Sequence, residues 1–328
     1  MQIKSILVSA VAPFNDHIAN GGEKILGNAS SIKRRPDGRV YVSGQMQRHV
    51  LFSAIERLNN EGDNGGTFVS TGDGTTNQIE KDLRADLGGF MHPSKGDYSG
   101  RRTAPVSVTP AVAIRESDVG RDLLVRIRMT DDAREQALAT REYSARDEMM
   151  MNFFLDVSTL SISQSFDYKD QLFISRKHHR HADDAERMRR AMLFLNGTRY
   201  MNDYANQARN AVAGEPSKVL IVISPLFSRK ASRYFAAGEM EQKNLLAELD
   251  SQGARYFLGD DTTAQSVAKA YDDAIAFMQK NENVLYDPTN GGPVVTYEEY
   301  LSTMPEKSKA KAAKKGKDGE AENADTQQ

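Results

Sequence analysis

The chain of 328 residues contains no cysteine, and this absence removes several kinds of chemistry at once. Disulfide scaffolds, thiol nucleophiles and thiolate metal sites are all excluded. No apolar run approaches the roughly 20 residues that a membrane-spanning helix needs. The opening residues 1–16 lack the basic segment and small-residue cleavage site of a signal peptide, and are more typical of a strand. We therefore expect a soluble, cytoplasmic protein with no membrane partner.

Sequence motifs of catalysis are missing as well. There is no GxSxG nucleophile turn, no HExxH metal motif and no phosphate-binding loop with a lysine. His178, His179 and His181 lie close together, but their cationic neighbours disfavour a divalent metal, and a solvated basic loop is the preferred interpretation. We expect no catalytic residue, no metal site and no cofactor.

The formal net charge is only -2, yet the cations are not evenly spread. They concentrate at residues 33–39, 101–102, 176–190 and 307–317. Each concentration could be an ordinary solvated surface or a contact for an anionic partner, because the distribution of charge matters more than its sum. The aromatic RNP1 motif of ordinary RRM proteins is absent, so stacking of bases on a sheet face has no support in the sequence.

Hydrophobic periodicity predicts a mixture of strands and helices, and hence an α+β fold. Strands are predicted at residues 3–12, 39–42, 106–114, 123–127, 151–157 and 219–223. Helices are predicted from residue 45 to 58, from Asp183 or Asp184 to Asn196-Gly197, and at 232–251 and 263–280. Segments 60–104 and about 158–182 follow no period and are interpreted as long excursions from one core. Residues 304–328 are predicted to be a disordered tail rich in Lys, Ala and Glu.

A basic turn followed by a helix start is the most informative local pattern. Pro36-Asp37-Gly38 predicts a turn between cationic residues, and Ser43 is a plausible N-cap for the helix that follows. Backbone N–H groups and the helix dipole favour an anion at such a start, and Gly44 would allow a phosphate to approach closely. The alternative is an ordinary capped helix at the surface.

Four segments in a fixed order resemble a known family. They are GNASSIKRRPDGRVYVSGQMQRHVLF at 27–52, DLRADLGGFM at 82–91, RRTAPVSVTPAVAI at 101–114 and FFLDVSTLSI at 153–162. Together they resemble the Cascade backbone subunit of CRISPR systems, the seventh Cas family within the RAMP superfamily, and its DevR/Cst-type branch in particular. The resemblance extends to about residue 224.

This resemblance implies a fold shaped like a right hand. It has an RRM-like (ferredoxin-like) palm, a long inserted thumb and helical fingers. Residues 1–303 would form this single domain, and the excursions near 60–104 and 158–190 would supply the projections. The implied function is that of a guide-RNA-binding subunit that polymerises head to tail along CRISPR RNA and presents it for pairing with a target DNA strand. The implied partners are guide RNA, target DNA, further copies of the chain and other Cascade subunits.

The resemblance also suggests which residues contact RNA. The RNA-binding candidates are Lys33, Arg34, Arg35, Ser43, Gln45, Arg48, Arg101, Arg102, Arg199, Asn206, Gln207 and Arg209. Phe90 and Met91 are candidates for an apolar wedge between bases, and the alternative is that they form a small satellite core under a long loop.

Two other functions stay open. Related subunits of type III complexes cut RNA with an aspartate in the loop before the second strand, where this sequence has Asn28, Ala29 or Ser30. These side chains cannot replace a carboxylate, which predicts a non-cutting protein, although Asp16 lies nearby. The alternatives are an RNA-cleaving nuclease of the RAMP type and a transcriptional autoregulator.

Overall fold

The computed structural model describes residues 1–25, 29–60, 78–91, 101–130, 133–169 and 172–302. Within these ranges the strands are Gln2–Ile3 (β1), Ser5–His17 (β2), Glu23–Lys24 (β3), Ala29–Ser31 (β4), Tyr41–Val42 (β5), Phe90–Met91 (β6), Arg101–Arg102 (β7), Val106–Val108 (β8), Ala111–Ala113 (β9), Val119–Thr130 (β10), Ala133–Asp156 (β11), Ile162–Lys169 (β12), Leu172–Arg180 (β13), Lys218–Ser224 (β14), Arg255–Asp260 (β15) and Val284–Leu285 (β16). The α-helices are Gly44–Asn60 (α1), Leu83–Gly88 (α2), Asp184–Arg199 (α3), Glu239–Ser251 (α4), Val267–Met278 (α5) and Tyr297–Ser302 (α6), and a 3-10 helix spans Lys230–Ala236. The predicted α+β class is confirmed.

An antiparallel sheet forms the centre of the protein. Its strands lie in the order β15, β14, β2 and β11, with β8 and β9 on the far side of β11. Strand β2 occupies the middle because it is apolar on both faces: Ile6 and Val8 point to one core, and Leu7 points to the other. A strand buried on both faces reads as a nearly continuous apolar run, which is how residues 6–12 appear in the sequence.

Helices α1, α3 and α5 cover one face of this sheet and share its main core. Helix α3 runs through Asn196-Gly197, where the sequence predicted its end. The reason is close packing: a Cβ atom on Gly197 would lie 2.7 Å from Cγ1 of Ile55 in α1. Gly197 therefore allows two helices to approach, and it does not terminate the helix.

The opposite face of the sheet is also covered. Leu7, Phe154 and Leu220 pack against residues of the 3-10 helix and α4, such as Ala231 and Leu249. The predicted helix 232–251 is in fact divided, because Ala237 and Gly238 are extended between the 3-10 helix and α4. Both sides of the central strands are thus closed to solvent.

Strands β12 and β13 form a separate two-stranded sheet, where the sequence predicted an irregular segment at 158–182. That prediction was wrong. The base of the hairpin is buried at Ile162, whereas Leu172 and Ile174 near its far end are 71% and 59% exposed. The apolar residues at 172–174 are contiguous and therefore lack the alternation that would have identified a strand.

The remaining predictions about local structure have mixed outcomes. Strands near 3–12 and 219–223 and helices starting near 45 and 184 are present, while the helix predicted at 263–280 begins four residues later, as α5. Within the excursion 60–104, the described part contains α2, β6 and β7. The rest of this excursion and the predicted tail at 304–328 lie outside the described residues. No helix in the described ranges is long and apolar enough to cross a membrane.

Candidate nucleic-acid interface

Helix α1 begins as the sequence predicted, with Ser43 as its N-cap. The Ser43 hydroxyl accepts a hydrogen bond from the backbone N–H of Met46 at 3.2 Å, and the Ser43 carbonyl accepts one from Gln47 at 3.0 Å. The hydroxyl is therefore used by the helix itself. The positive end of the helix dipole remains at Gly44 and Gln45, where an anion would be stabilised.

A cleft of about 540 Å³ opens at this helix start, and we call it the α1 cleft. It is lined by Gly44, Gln45, Arg48, Val106, Ser107 and Val108. Gln45 is exposed there. On its β8 side, the Ser107 hydroxyl accepts a hydrogen bond from Arg229 at 3.2 Å. The α1 cleft is thus bordered by two arginines and has polar groups suited to a phosphate.

Arg48 lines the α1 cleft but is also bound within the protein. Its guanidinium donates a hydrogen bond to the Gly88 carbonyl at the end of α2 and lies 5.5 Å from the centre of the Phe52 ring. Burial, together with the nearby Arg84 charge, lowers the pKa of Arg48. Arg48 therefore ties α2 to α1, and only part of its hydrogen-bonding capacity remains for a ligand.

The basic turn forms a tight hairpin. The N–H of Gly38 donates to the Arg35 carbonyl at 3.0 Å, and the N–H of Arg35 donates to the Arg39 carbonyl at 2.9 Å. Gly38 has φ of +79°, in the left-handed region that the Pro-Asp-Gly pattern predicted. This geometry holds the cations of residues 33–39 at the edge of the sheet beside β5 and β9.

The cations of the turn fall into two groups. Arg39 is paired with Asp37 at 2.6 Å, and Arg34 lies 3.6 Å from the buried Glu142. The carboxylates partly neutralise both arginines. Within the described part of the chain, the side chains of Lys33 and Arg35 have no ion pair or side-chain hydrogen bond. These two are the cations of the turn that are available to an anion.

A second cavity, of about 410 Å³, lies between the basic turn and the 3-10 helix. Its lining consists of Arg35, Arg39, Thr109, Pro110, Val112, Ala113, Ile114, Met150, Asn152, Phe235 and Ala236. We call it the Asn152 cavity. Residues 106–108 line the α1 cleft, and the residues that follow directly at 109–114 line the Asn152 cavity. The two sites are therefore neighbours along the β8–β9 edge of the sheet.

Four residues at the end of α3 and in the loop after it were predicted to contact RNA, and three of them form hydrogen bonds or ion pairs within the protein instead. Arg199 is paired with Asp272 at 3.0 Å, and the Gln207 side chain bonds both the N–H and the carbonyl of Val212. Asn206 accepts a hydrogen bond from Arg141 and donates one to the Ile18 carbonyl at 2.9 Å. Arg209 is exposed, with no partner among the described residues. Of the four predicted contacts in this loop, Arg209 alone is free.

Arg102 lies inside the protein and not at an RNA surface. Its guanidinium pairs with Asp86 at 2.6 Å and donates to the carbonyls of Thr159 and Ile162 at 2.7 and 2.8 Å. Its exposure is 9%. The prediction that Arg102 contacts RNA was therefore wrong, and its guanidinium stabilises the interior of the protein. The side chain of its neighbour Arg101 lies outside the described residues, although β7 pairs with β6 through Arg101 and Met91.

Phe90 is likewise buried, at 8% exposure. Its ring packs edge-on against Tyr297 at 5.4 Å, in a small cluster with Ile79 and Ala85. This is the satellite core that the sequence left as the alternative, so the interpretation of Phe90 as a base wedge is corrected. The side chain of Met91 lies outside the described residues.

The histidines near 180 lie in β13 or directly after it, and His181 is buried, so their interpretation as a solvated basic loop was wrong. His179 exchanges a hydrogen bond with Ser165 at 2.8 Å, while His181 is buried between Ser163 and the Val295 carbonyl. In the described ranges, no group of three His, Asp or Glu side chains could hold a metal ion.

Sequence reasoning missed Arg229, Phe235 and Asn152, which border the two clefts. The first two come from a 3-10 segment far along the chain, and no local pattern connects them with residues 35–48. Asn152 lies inside the apolar stretch at 149–155. A polar residue inside a buried strand was the signal that could have identified it.

The architecture defines an α+β protein with a basic edge beside its central sheet. The family described as "CRISPR-associated negative auto-regulator DevR/Csa2" matches residues 8–211, which is more than half of the chain. The chain belongs to this family, as the sequence resemblance indicated.

Solved structures give a consistent result for the fold. A chain of a "CRISPR RNA-guided surveillance complex" is similar with a TM-score of 0.52 and 13% identity, over 83% of this chain and 99% of that one. A chain of a "CRISPR RNA-guided surveillance complex, pre-nicking" has the same identity and coverage and a TM-score of 0.53. At this identity the likeness is evidence of a shared fold. No curated protein matches the sequence significantly.

Proposed function

We propose that this chain is a guide-RNA-binding backbone subunit of a Cascade-type complex, that it polymerises head to tail along the RNA, and that it has no catalytic role. The observation that carries the proposal is the fold shared with 99% of a chain from an RNA-guided surveillance complex. Family membership over residues 8–211 supports it. We propose also that the chain acts in the cytoplasm together with other Cascade subunits, and that target DNA pairs with the guide RNA that it binds.

The order of the core elements supports an RRM-like palm. Along the chain, β2, α1, the β8–β9 segment, β11, α3 and β14 follow one another as strand, helix, two strands, helix and strand. In the sheet, β14 and β11 flank β2, and β8–β9 lies outside β11. This order of elements supports the proposed ferredoxin-like palm. The 3-10 helix and α4 cover the central face on which ordinary RRM domains stack bases, so the RNA path moves to the β8–β9 edge.

Along this edge we place the phosphates of the RNA. Gln45 and the α1 start offer amide and dipole contacts, while Lys33 and Arg35 offer unpaired charge. Arg209 is a further exposed cation of the predicted set. These contacts read the backbone and not base edges, so binding would be tolerant of sequence and strongly dependent on salt.

The β12–β13 hairpin is the best candidate for the thumb. Leu172 and Ile174 are exposed near its far end, and exposed apolar surface of this kind marks an interaction site. We assign the wedging or neighbour-contacting role to this end of the hairpin, in place of Phe90. A head-to-tail contact uses two different surfaces and yields an open filament when the rotation does not close.

The test is assembly on RNA of defined length, measured by native mass spectrometry. We expect particles whose mass rises in steps as the RNA is lengthened. Replacing both Leu172 and Ile174 with Ser should abolish the steps and leave the melting temperature unchanged, because both side chains are exposed. A matched control is the double replacement of the exposed Leu123 and Leu138 with Ser in the β10–β11 hairpin.

Different outcomes favour different functions. If the particle mass ignores RNA length and the protein is a closed dimer that binds its own promoter, the autoregulator suggested by the family description replaces this proposal. If the purified protein cleaves bound RNA with added Mg²⁺, and if Asp16→Asn stops this cleavage, the nuclease alternative replaces it. If the steps are lost equally in the β12–β13 variant and in the β10–β11 control, the β12–β13 hairpin is not the thumb.

A further inference from the structure

The Asn152 cavity contains a buried polar group that the protein leaves unsatisfied. Asn152 is 8% exposed, and its backbone exchanges hydrogen bonds with Thr109 across β11 and the turn between β8 and β9. Its side-chain oxygen has no hydrogen-bond partner within the described part of the protein. A buried acceptor without a donor is unfavourable, and such groups in folded proteins normally have a partner. A donor that entered the cavity would satisfy this oxygen.

The walls of the cavity are apolar. Pro110 and Ile114 come from the β8–β9 segment, Met150 from β11 and Phe235 from the 3-10 helix. Small-molecule sites typically have this composition, in which apolar walls surround a few polar groups that fix orientation. A volume of about 410 Å³ leaves room for a flat ring system.

One part of the cavity wall is cationic. Arg35 and Arg39 line it, and Arg39 is partly neutralised by Asp37 at 2.6 Å. The Arg35 side chain makes no ion pair or hydrogen bond among the described residues, although its charge helps to lower the pKa of Asp37. A ligand with an anionic group at one end would be held at Arg35, because guanidinium groups bind phosphates through charge-assisted hydrogen bonds.

We propose that the Asn152 cavity holds one unstacked nucleotide of the bound RNA, with its base against Phe235 and Asn152 and its phosphate at Arg35. A nucleobase supplies both the flat apolar surface and the edge donor that Asn152 lacks. An amide side chain both donates and accepts, so it can match the edges of different bases. This assignment rests on the proposed RNA-binding function, and the α1 cleft next to the cavity provides the site for a neighbouring phosphate.

The first experiment tests the cavity without RNA. Adenosine 5′-monophosphate, adenosine and ribose 5-phosphate are titrated onto the full chain and followed by ligand-observed NMR. We expect the mononucleotide to bind more tightly than either fragment, because each fragment satisfies only one end of the cavity. Asn152→Leu keeps the number and branching of the side-chain heavy atoms and removes the amide, and it should weaken mononucleotide binding about tenfold. The matched control Asn244→Leu changes an exposed residue of α4 and should bind like the wild type.

The second experiment identifies the source of the nucleotide. Single-stranded RNA containing 4-thiouridine is crosslinked to the protein, and the crosslinked peptides are mapped. We expect crosslinks within 109–114 and 230–236, and their loss in Asn152→Leu. Melting curves of each variant confirm that it is folded.

The outcomes separate this inference from the proposed function. If the wild type fails to bind the mononucleotide, or if Asn152→Leu binds it equally well, the cavity assignment is overturned even when RNA binds elsewhere. If mononucleotide binding depends on Asn152 but the protein binds no RNA, the RNA assignment and the proposed function fall, and a site for a free nucleotide remains.

Discussion

Arginines in two regions of this molecule have opposite roles, although they look alike in the sequence. Around Asp86, Arg102 and Arg190 are buried and pair with its two carboxylate oxygens at 2.6 and 2.7 Å. In the basic turn, Arg35 lines a cavity and makes no ion pair or hydrogen bond among the described residues; only a longer-range attraction joins it to Asp37. A cluster of cations becomes a ligand surface only where the fold supplies no carboxylate or carbonyl to satisfy it.

The Asp86 centre has a clear electrostatic basis. Burial opposes ionisation of Asp86, but Arg190 and Arg102, together with a hydrogen bond from Ser161, outweigh it and hold the pKa of this carboxyl below its ordinary value. The ionised carboxylate joins α2, β7, the start of β12 and α3. The centre therefore fixes α2 and β7 onto the core.

The largest expected effect is that of Asp86→Asn. The change leaves Arg102 and Arg190 buried without their counter-charge, which should lower the free energy of unfolding by about 3–5 kcal/mol. Urea denaturation measures the loss. Asp37→Asn breaks the exposed pair with Arg39 and should leave the urea midpoint unchanged. If the two variants are equally stable, the buried arginines around Asp86 and the exposed arginines of the basic turn do not differ in their contribution to stability.

Next in size is a pH effect at His181, beside the Asp86 centre. Burial lowers the pKa of His181 to about 4, against an ordinary value of 6.5. The native state keeps this ring neutral while the unfolded chain takes up a proton, so its contribution is complete above pH 6.5 and is lost as the pH falls towards 4. The loss should reach about 3 kcal/mol.

The measurement compares urea denaturation of the wild type and His181→Gln between pH 7 and pH 4. Burial raises the pKa of Asp82 to about 6, which acts in the opposite direction over much of this range. Asp82 is the same in both proteins, so the difference between their curves isolates His181. Parallel curves would show that the ring takes up its proton with the same pKa in the native and unfolded states, and this result would overturn the prediction.

A smaller effect is expected for Arg48→Ala. The guanidinium donates to the Gly88 carbonyl and packs over Phe52, so its loss should lower the free energy of unfolding by about 1.5 kcal/mol. Arg35→Ala is the matched control, because the Arg35 side chain loses only a weak attraction to the exposed Asp37 and no hydrogen bond. If Arg48→Ala is as stable as the wild type, Arg48 does not stabilise the fold, and its role is to bind a ligand as proposed for Arg35.

The smallest expected effect on stability is that of Arg35→Ala, which should change RNA binding instead. We expect weaker binding to RNA of every sequence and a slope of log affinity against log salt that is shallower by about one phosphate contact. Fluorescence anisotropy across a salt series measures both quantities. Arg199→Ala is the control, since Arg199 is already paired with Asp272. If Arg35→Ala and Arg199→Ala lose the same RNA affinity, the basic turn is not a preferred contact for the RNA.

The sequence predicted the elements that depend on local physics. Ser43 caps α1, Asp183 caps α3 and Gly38 takes a left-handed turn, because each depends on a few adjacent residues. It did not predict the β12–β13 hairpin or the continuation of α3 through Gly197. The hairpin carries exposed apolar residues that break the alternation, and Gly197 is explained only by the approach of Ile55 from another helix.

The candidate site was predicted in part for the same reason. The turn at 33–39 and the α1 start are contiguous in sequence, and the structure places them side by side at one edge of the sheet. Arg102 and Phe90 could not be assigned correctly, because their burial depends on Asp86 and Tyr297, which are distant in sequence or in a different element. Asn152 and Phe235 meet Arg35 only through the tertiary fold.

The position of β2 at the centre of the sheet also affects how the chain folds during synthesis. Val8 pairs with Phe153 on one side and with Ile221 on the other, so both neighbours of this apolar strand are made much later than the strand itself. At about 5–20 residues per second, the ribosome needs on the order of ten seconds or more to reach the second neighbour. During that interval, residues 6–12 have unpaired edges and aggregation-prone apolar faces. The N-terminal strand is therefore the segment for which a nascent-chain chaperone would matter most, and the sheet closes only after residue 224 has emerged.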